Sequence, residues 1–308
     1  MAKFRDSVQA EIAPPAALSE GIHSEPSGAA DVRDRSMGDL LRAAKDLSAE
    51  QVEQVLAYQR DRGVRFGEAA IALGLVNAND VLFALSQQFH YPYAPGERYE
   101  TSAELIALNQ PFSSQSESIR GVRSQLLSRI FGDSGHRAVA VVSADQGDGK
   151  TFFCANLAVS LAQLGGRTLL VDADMRGPRV HSVFGLSLAP GLSGILSGRS
   201  ESKVIQQIPA VPELFVMPGG TTPPNPLELI ERPAFGLLMS ELSAKFDHVI
   251  VDTPAAIYGS DSIVIGAKCG ASVVIARKDS SRIEHVQELL THLTEMRSKI
   301  AGVVYNEY

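Results

Sequence analysis

Apolar positions recur along this chain in two rhythms. In the C-terminal part, short unbroken apolar runs occur at Ala138–Val142, Thr168–Val171, Leu214–Met217, His248–Val251, Ala271–Ile275 and Gly302–Val304. Such runs predict strands buried on both faces. Between them the spacing lengthens to the helical period, as in Phe152–Leu164, Phe235–Lys245 and Glu284–Lys299. Strands alternating with helices predict an α/β fold, a doubly wound and mostly parallel sheet with ligands at the strand C-terminal ends.

Upstream the rhythm is helical and repeats every 29 residues. Met37-Gly38 recurs as Phe66-Gly67, Leu47 as Val76, Val52 as Val81, Leu56 as Leu85 and Gln59 as Gln88. Each copy predicts a helix, a turn and a second helix opening at Ser48-Ala-Glu-Gln or Asn77-Ala-Asn-Asp. A Ser or Asn placed so is an N-cap signature. The two copies predict a small helical module with one shared buried face. Ahead of it, Pro14, Pro15 and Pro26 lie among Ala, Ser and Glu without periodicity, the composition of a disordered tail. The expected plan is a tail over 1–35, the helical module over 36–94, a linker over 95–110 and an α/β domain over 111–308.

The junction between the first strand and the first long helix carries the chemistry. Ser143-Ala-Asp145-Gln146-Gly147-Asp148-Gly149-Lys150-Thr151-Phe152 reads as a P-loop. Backbone N–H groups must curl around phosphate oxygens, and Gly147 and Gly149 permit conformations a Cβ forbids. The helix that follows aims its positive end at the anion. Lys150 is placed to reach the β- and γ-phosphates, and Thr151 to offer a hydroxyl to Mg²⁺. The expected ligands are therefore ATP and Mg²⁺. Residues 145–152 form the nucleotide loop, with Ala144 standing in place of the usual first glycine.

Two strand ends answer this loop. Leu169-Leu-Val-Asp172-Ala-Asp174-Met-Arg176 and His248-Val-Ile-Val-Asp252-Thr-Pro254 each drive apolar residues into carboxylates. Mg²⁺ is a hard cation that takes one or two carboxylates plus substrate phosphates, and these are candidates to hold it. The formal net charge of −7 argues against a nucleic-acid partner. Cys154 and Cys269 fall inside predicted helices and read as small core residues. No apolar run is long enough to span a bilayer, which predicts a cytoplasmic chain.

The Asp172-Ala-Asp174-Met-Arg176 segment resembles the second Walker motif of bacterial tyrosine kinases, the autokinases that regulate capsule and exopolysaccharide synthesis. Glu117-x-x-Arg120-x-x-Arg123 matches the oligomerisation motif of that family. Pro190-Gly-Leu-Ser193 and Pro218-Gly-Gly-Thr-Thr-Pro-Pro-Asn-Pro226 also fit. The likeness extends to chain-length-determinant kinases of the EpsG type, which carry a similar N-terminal module and the Tyr91-Pro-Tyr93 junction. In division-site and partition ATPases of the same superfamily, a signature lysine stands where this chain has Asp145.

The resemblance implies phosphoryl transfer from Mg·ATP to tyrosine. Lys150, Asp172 and Asp174 would be catalytic, with Asp172 orienting the incoming hydroxyl. Thr151, Asp172 and Asp252 would hold Mg²⁺, and Arg176 would touch phosphate or a neighbouring subunit. Glu117, Arg120 and Arg123 would build a homo-oligomeric ring. The acceptor candidates are Tyr308 and Tyr305. A separate membrane-spanning chain-length determinant would be the partner that recruits the kinase to the inner face of the plasma membrane. A rival reading is a regulatory ATPase switch that transfers no phosphate to protein.

The second helical copy resembles the N-terminal domain of type II secretion ATPases, in some of which a tandem motif binds cyclic di-GMP. Arg65, Gly67, Gly74 and Gln88 would be the ligand residues. The first copy departs at Ser36 and Lys45, so a docking module and a nucleotide sensor both stand.

Overall fold

The computed structural model describes residues 37–77, 80, 81, 83, 84, 86, 102–132, 135–199 and 203–307. The expected tail, Gln88 and Tyr308 lie outside the described residues, as do Tyr91 and Tyr93.

In the upstream module, α1 (Met37–Lys45), α2 (Ala49–Arg62) and α3 (Phe66–Ala72) precede further helical residues from Asp80. Both expected caps form reciprocal pairs. Gln51 N donates to Ser48 Oγ at 3.2 Å, while Ser48 N donates to Gln51 Oε1 at 2.9 Å. Asn77 and Asp80 exchange the same two bonds at 2.9 and 3.0 Å. The repeat partners Leu47 and Val76 are both buried, within a cluster that includes Leu41, Val55, Ala69 and Ala70. Leu56 departs from the repeat logic and is 40% exposed.

The large domain winds helices on both faces of a seven-stranded sheet. Its strands are β1 (Ala138–Ser143), β2 (Thr168–Asp172), β3 (Gln206–Ile208), β4 (Val211–Met217), β5 (His248–Asp252), β6 (Ala271–Arg277) and β7 (Lys299–Asn306), in the order β3-β4-β2-β5-β1-β6-β7. Every pairing is parallel except β3 with β4. The short, polar β3 carries no apolar run, and composition therefore hid it. Alternate strand residues feed two cores, with Val139, Val141, Leu170 and Ile250 on one face and Ala140, Val142, Leu169 and Val251 on the other.

The helices of this domain are α4 (Ile106–Asn109), α5 (Ser114–Leu126), α6 (Lys150–Ala162), α7 (Val180–Val183), α8 (Leu192–Leu196), α9 (Pro226–Glu231), α10 (Pro233–Lys245), α11 (Asp261–Cys269) and α12 (Ile283–Glu295). The last predicted helix overran its true end. Arg297 adopts a positive φ of 59°, and Lys299 already begins β7. Both cysteines are buried, Cys154 in α6 and Cys269 in α11.

Residues 102–110 correct the expected linker over 95–110. Leu105, Ile106 and Ala107 are buried, and Leu105 and Ala107 join the core beneath α6. The anchor is Asn156, a fully buried amide on α6. Its Oδ1 accepts from Ala107 N at 2.9 Å, and its Nδ2 donates to Glu104 O at 2.8 Å and Phe152 O at 2.9 Å. Ser102 N also donates to Val183 O, at 3.0 Å. Local spacing cannot reveal that a segment is pinned by hydrogen bonds to distant partners, here Asn156 and Val183.

Asn156→Ala leaves a buried N–H and buried carbonyls without their partner, a loss of about 2–4 kcal/mol. Chemical denaturation should register it, and hydrogen exchange should rise first in residues 102–110. Unchanged exchange in that segment would count against the anchoring role.

Candidate nucleotide and metal site

The register of the sheet assembles the site. Asp172 on β2 pairs directly with Asp252 on β5, and Asp252 in turn pairs with Val141 on β1, the strand that leads into the nucleotide loop. The loop therefore opens beside two carboxylates from successive strand tips. Gly149 has φ 98°, and a Cβ there would lie 2.3 Å from Asn306 Nδ2. The positive φ favours glycine at that position, and a Cβ would also displace the Asn306 amide.

Lys150 is buried and its Nζ donates to Ser143 Oγ at 2.9 Å. Thr151 Oγ1 donates to Asp252 Oδ2 at 2.6 Å. Cys154 Sγ lies 3.6 Å from the other oxygen of Asp252. Burial pushes Asp252 up to about 6, against the lowering pull of Thr151 and Lys150. Burial, and then the charge of Asp252, raises Asp172 well above the usual carboxylate range. Burial and the same neighbouring carboxylate push the Cys154 thiol up.

The two Walker-type carboxylates differ in their surroundings. Asp172 is fully buried; Oδ2 accepts from Arg179 N and Val180 N, both at 3.0 Å, and Oδ1 from Asp174 N at 3.2 Å. Asp172 thus shapes the loop that presents Asp174. Asp174 is partly exposed, and its Oδ1 accepts from Arg176 N at 3.1 Å and Gly177 N at 3.0 Å.

Arg176 grips Asp261 at the start of α11 through Nε at 3.2 Å and Nη2 at 2.9 Å, a partner within the chain that the spacing does not announce. Asp261 is 1% exposed, so the pair anchors the Asp174 loop to the element that follows β5.

Other contacts to the nucleotide loop were not expected. Asp148 is buried, accepting from Ser281 Oγ at 2.8 Å on Oδ1. Asn306 Nδ2 donates to Asp148 O at 2.9 Å, and Arg277 Nη1 to Gly147 O at 3.1 Å. His285 Nδ1 lies 3.2 Å from Asp145 Oδ1, and Tyr258 Oη donates to Gln146 Oε1. These residues follow the C-terminal tips of β5 and β6 or end β7, the positions where α/β sheets gather ligand residues. That rule was the signal that could have found them.

Phe152 lines a groove of about 520 Å³ between α5 and β7, together with Val122 and Tyr305. Glu117, Arg120 and Arg123 do share α5, but all three have partners within the chain. Arg120 Nη1 donates to Pro111 O at 2.6 Å and pairs with Glu117; Arg123 Nη1 donates to Ser160 O at 2.8 Å. In the upstream module, Gly67 lies against Val81, where a Cβ would meet Cγ1 at 2.6 Å. Gly74 takes a left-handed turn at φ 68°, and Arg65 N donates to Glu68 Oε2 at 3.0 Å. Both glycines thus have structural reasons to be there.

The site fits a magnesium-bound nucleoside triphosphate. It combines a glycine loop, a buried ammonium, a hydroxyl bonded to a strand-tip carboxylate, and a second carboxylate beside it. Residues 139–308 match the CobQ/CobB/MinD/ParA nucleotide binding domain. Fold and site together define a P-loop NTPase of that class. Within it, the chain belongs to the bacterial tyrosine kinase family. It is 33% identical over 202 residues to tyrosine-protein kinase YwqD of Bacillus subtilis, covering 66% of this chain and 85% of YwqD. Against tyrosine-protein kinase Wzc of Salmonella typhi it is 31% identical over 210 residues, 68% of this chain; the match spans only 29% of Wzc. The solved kinase domain of Escherichia coli tyrosine kinase ETK superposes with a TM-score of 0.63 at 32% identity, covering 66% of this chain and 79% of that domain.

Asp252 sets a pH signature. Its folded-state value of about 6 exceeds its unfolded value near 4, so the stability it contributes is full below about pH 4 and is lost as pH rises through 6. In nucleotide- and metal-free protein, Asp252→Asn should gain on wild type by about 3 kcal/mol between pH 4 and pH 8. Thermal melts of both proteins across that range check this; a constant offset would refute it.

Proposed function

We propose that this chain is an ATP-dependent protein tyrosine autokinase that regulates exopolysaccharide chain length, polymerisation or export. The observation that carries the reading is the Thr151–Asp252 contact at 2.6 Å, which seats the nucleotide loop against a strand-tip carboxylate. Phosphoryl transfer asks the protein mainly for positioning and charge neutralisation. Lys150 would leave Ser143 to meet the β- and γ-phosphates. Thr151, Asp252 and Asp172 are the groups that would hold Mg²⁺, whose charge offsets that of the phosphates. Asp174, the more exposed of the two β2-loop carboxylates, would orient the phenol. A carboxylate is a weak base for a phenol of pKa about 10, so orientation is its main contribution.

The family resemblance supplies the setting. A separate membrane-spanning chain-length determinant would be the partner, holding the kinase at the cytoplasmic face. Among the described residues, no helix is long and apolar enough to cross a membrane. The α5 face bearing Glu117 and Arg120 would contribute to a homo-oligomeric ring. The upstream module would dock a partner, a role consistent with the packing reasons for Gly67 and Gly74.

Incubation with Mg·ATP followed by mass spectrometry should find phosphotyrosine, and Lys150→Met should lose it by at least two orders of magnitude. Hydrolysis without any phosphotyrosine would favour the regulatory switch. Glu117→Ala combined with Arg120→Ala should convert the oligomer to monomer by light scattering, while an unchanged mass would remove that role from α5.

A further inference from the structure

Three tyrosines fall among the described residues, at positions 58, 258 and 305. Their places in the fold separate them. Tyr58 belongs to the upstream module, where Arg62 lies over its ring. Tyr305 is 60% exposed, but its backbone is paired with Ala276 inside the β6–β7 ladder and it lines the groove beside α5. Tyr258 alone contacts the nucleotide loop, through its hydroxyl to Gln146.

The chain reaches that position by a short route. Asp252 ends β5, Pro254 follows, and residues Ala256–Tyr258 form a single 3₁₀ turn. Ile257 N donates to Ala144 O at 3.0 Å, tying the turn to the first half of the nucleotide loop. Gly259, at φ 145°, then swings the chain towards Asp261. The turn itself buries no residue, and Tyr258 remains 49% exposed. A phenol is thus held at the rim of a phosphate-binding loop, on a segment that starts at the metal-site carboxylate. A hydrogen bond to one side chain is easily exchanged for another acceptor.

We infer that Tyr258 is an internal phospho-acceptor of this site, modified within its own chain. The inference rests on the kinase reading. The phenolic oxygen of Tyr258 forms the new bond to the γ-phosphorus of ATP, the bond from that phosphorus to the β–γ bridging oxygen breaks, ADP leaves with the bridging oxygen, and the phenolic proton passes to solvent. ATP is the only co-reactant. The contact with Gln146 places the hydroxyl beside the loop without a neighbouring subunit's tail having to enter.

The test uses the full chain incubated with Mg·ATP, digested and mapped by mass spectrometry at several protein concentrations. The expected result is phosphate on Tyr258 at a fractional yield independent of dilution, lost in Lys150→Met, with that phosphopeptide also lost in Tyr258→Phe. Phosphotyrosine confined to other positions would overturn the inference while leaving the kinase reading intact. A yield on Tyr258 that falls with dilution would overturn modification within the chain. No phosphotyrosine on any residue would overturn both.

Discussion

The interaction on which the rest depends is the side-by-side burial of Asp172 and Asp252 at adjacent strand tips. Placing carboxylates out of water costs several kcal/mol each unless opposite charge or hydrogen bonds compensate. The fold supplies compensation in part: three backbone N–H groups to Asp172, and the Thr151 hydroxyl and nearby Lys150 for Asp252. Both groups nonetheless remain pushed upward, chiefly by burial. Such an arrangement beside a phosphate loop would suit a divalent cation and a triphosphate together. The charge problem and the ligand are two views of one arrangement.

Around that centre, every element bordering the nucleotide loop holds some part of it. The turn after β5 bonds Ala144, the β6–α12 connection bonds Gly147 and Asp148, and the end of β7 bonds Asp148 as well. These contacts within the chain help to shape the loop, which lowers the cost of ordering it around a ligand. The exposed members of this collar, Tyr258 and Arg277, are its adjustable side, whereas the buried Asp148 anchors it.

How much of this was legible in the sequence follows from the range of the interactions. Local patterns found six of the seven strands, the helix after the loop and both caps of the upstream module, because apolar runs and capping pairs are nearest-neighbour facts. The same logic placed Asp172 and Asp252 at strand ends; that they are register partners needed the sheet. What stayed hidden depends on distant partners. Residues 102–110 look like a linker until Asn156 is seen to hold them. Arg123 looks like part of a charged face until Ser160 is seen to accept from it. A lone buried amide in an otherwise apolar helix, such as Asn156, is the kind of residue that signals such a partner.

Arg176 shows what this long-range wiring does for chemistry. Read along the chain, an arginine two residues after Asp174 suggests a phosphate contact. In the fold its planar fork is spent on Asp261, where two donors meet both oxygens of a carboxylate that is almost wholly buried. Arginine suits that task because its donors are rigidly paired, and an aspartate in the first turn of α11 is also favoured by the helix dipole. The consequence is mechanical. The loop that presents Asp174 and the segment leaving Asp252 are fastened at a second point beyond the strand pairing, with Tyr258 and Gly259 on the stretch between. The two carboxylate-bearing loops are thus held to each other twice, an arrangement that would suit phosphoryl transfer dominated by positioning.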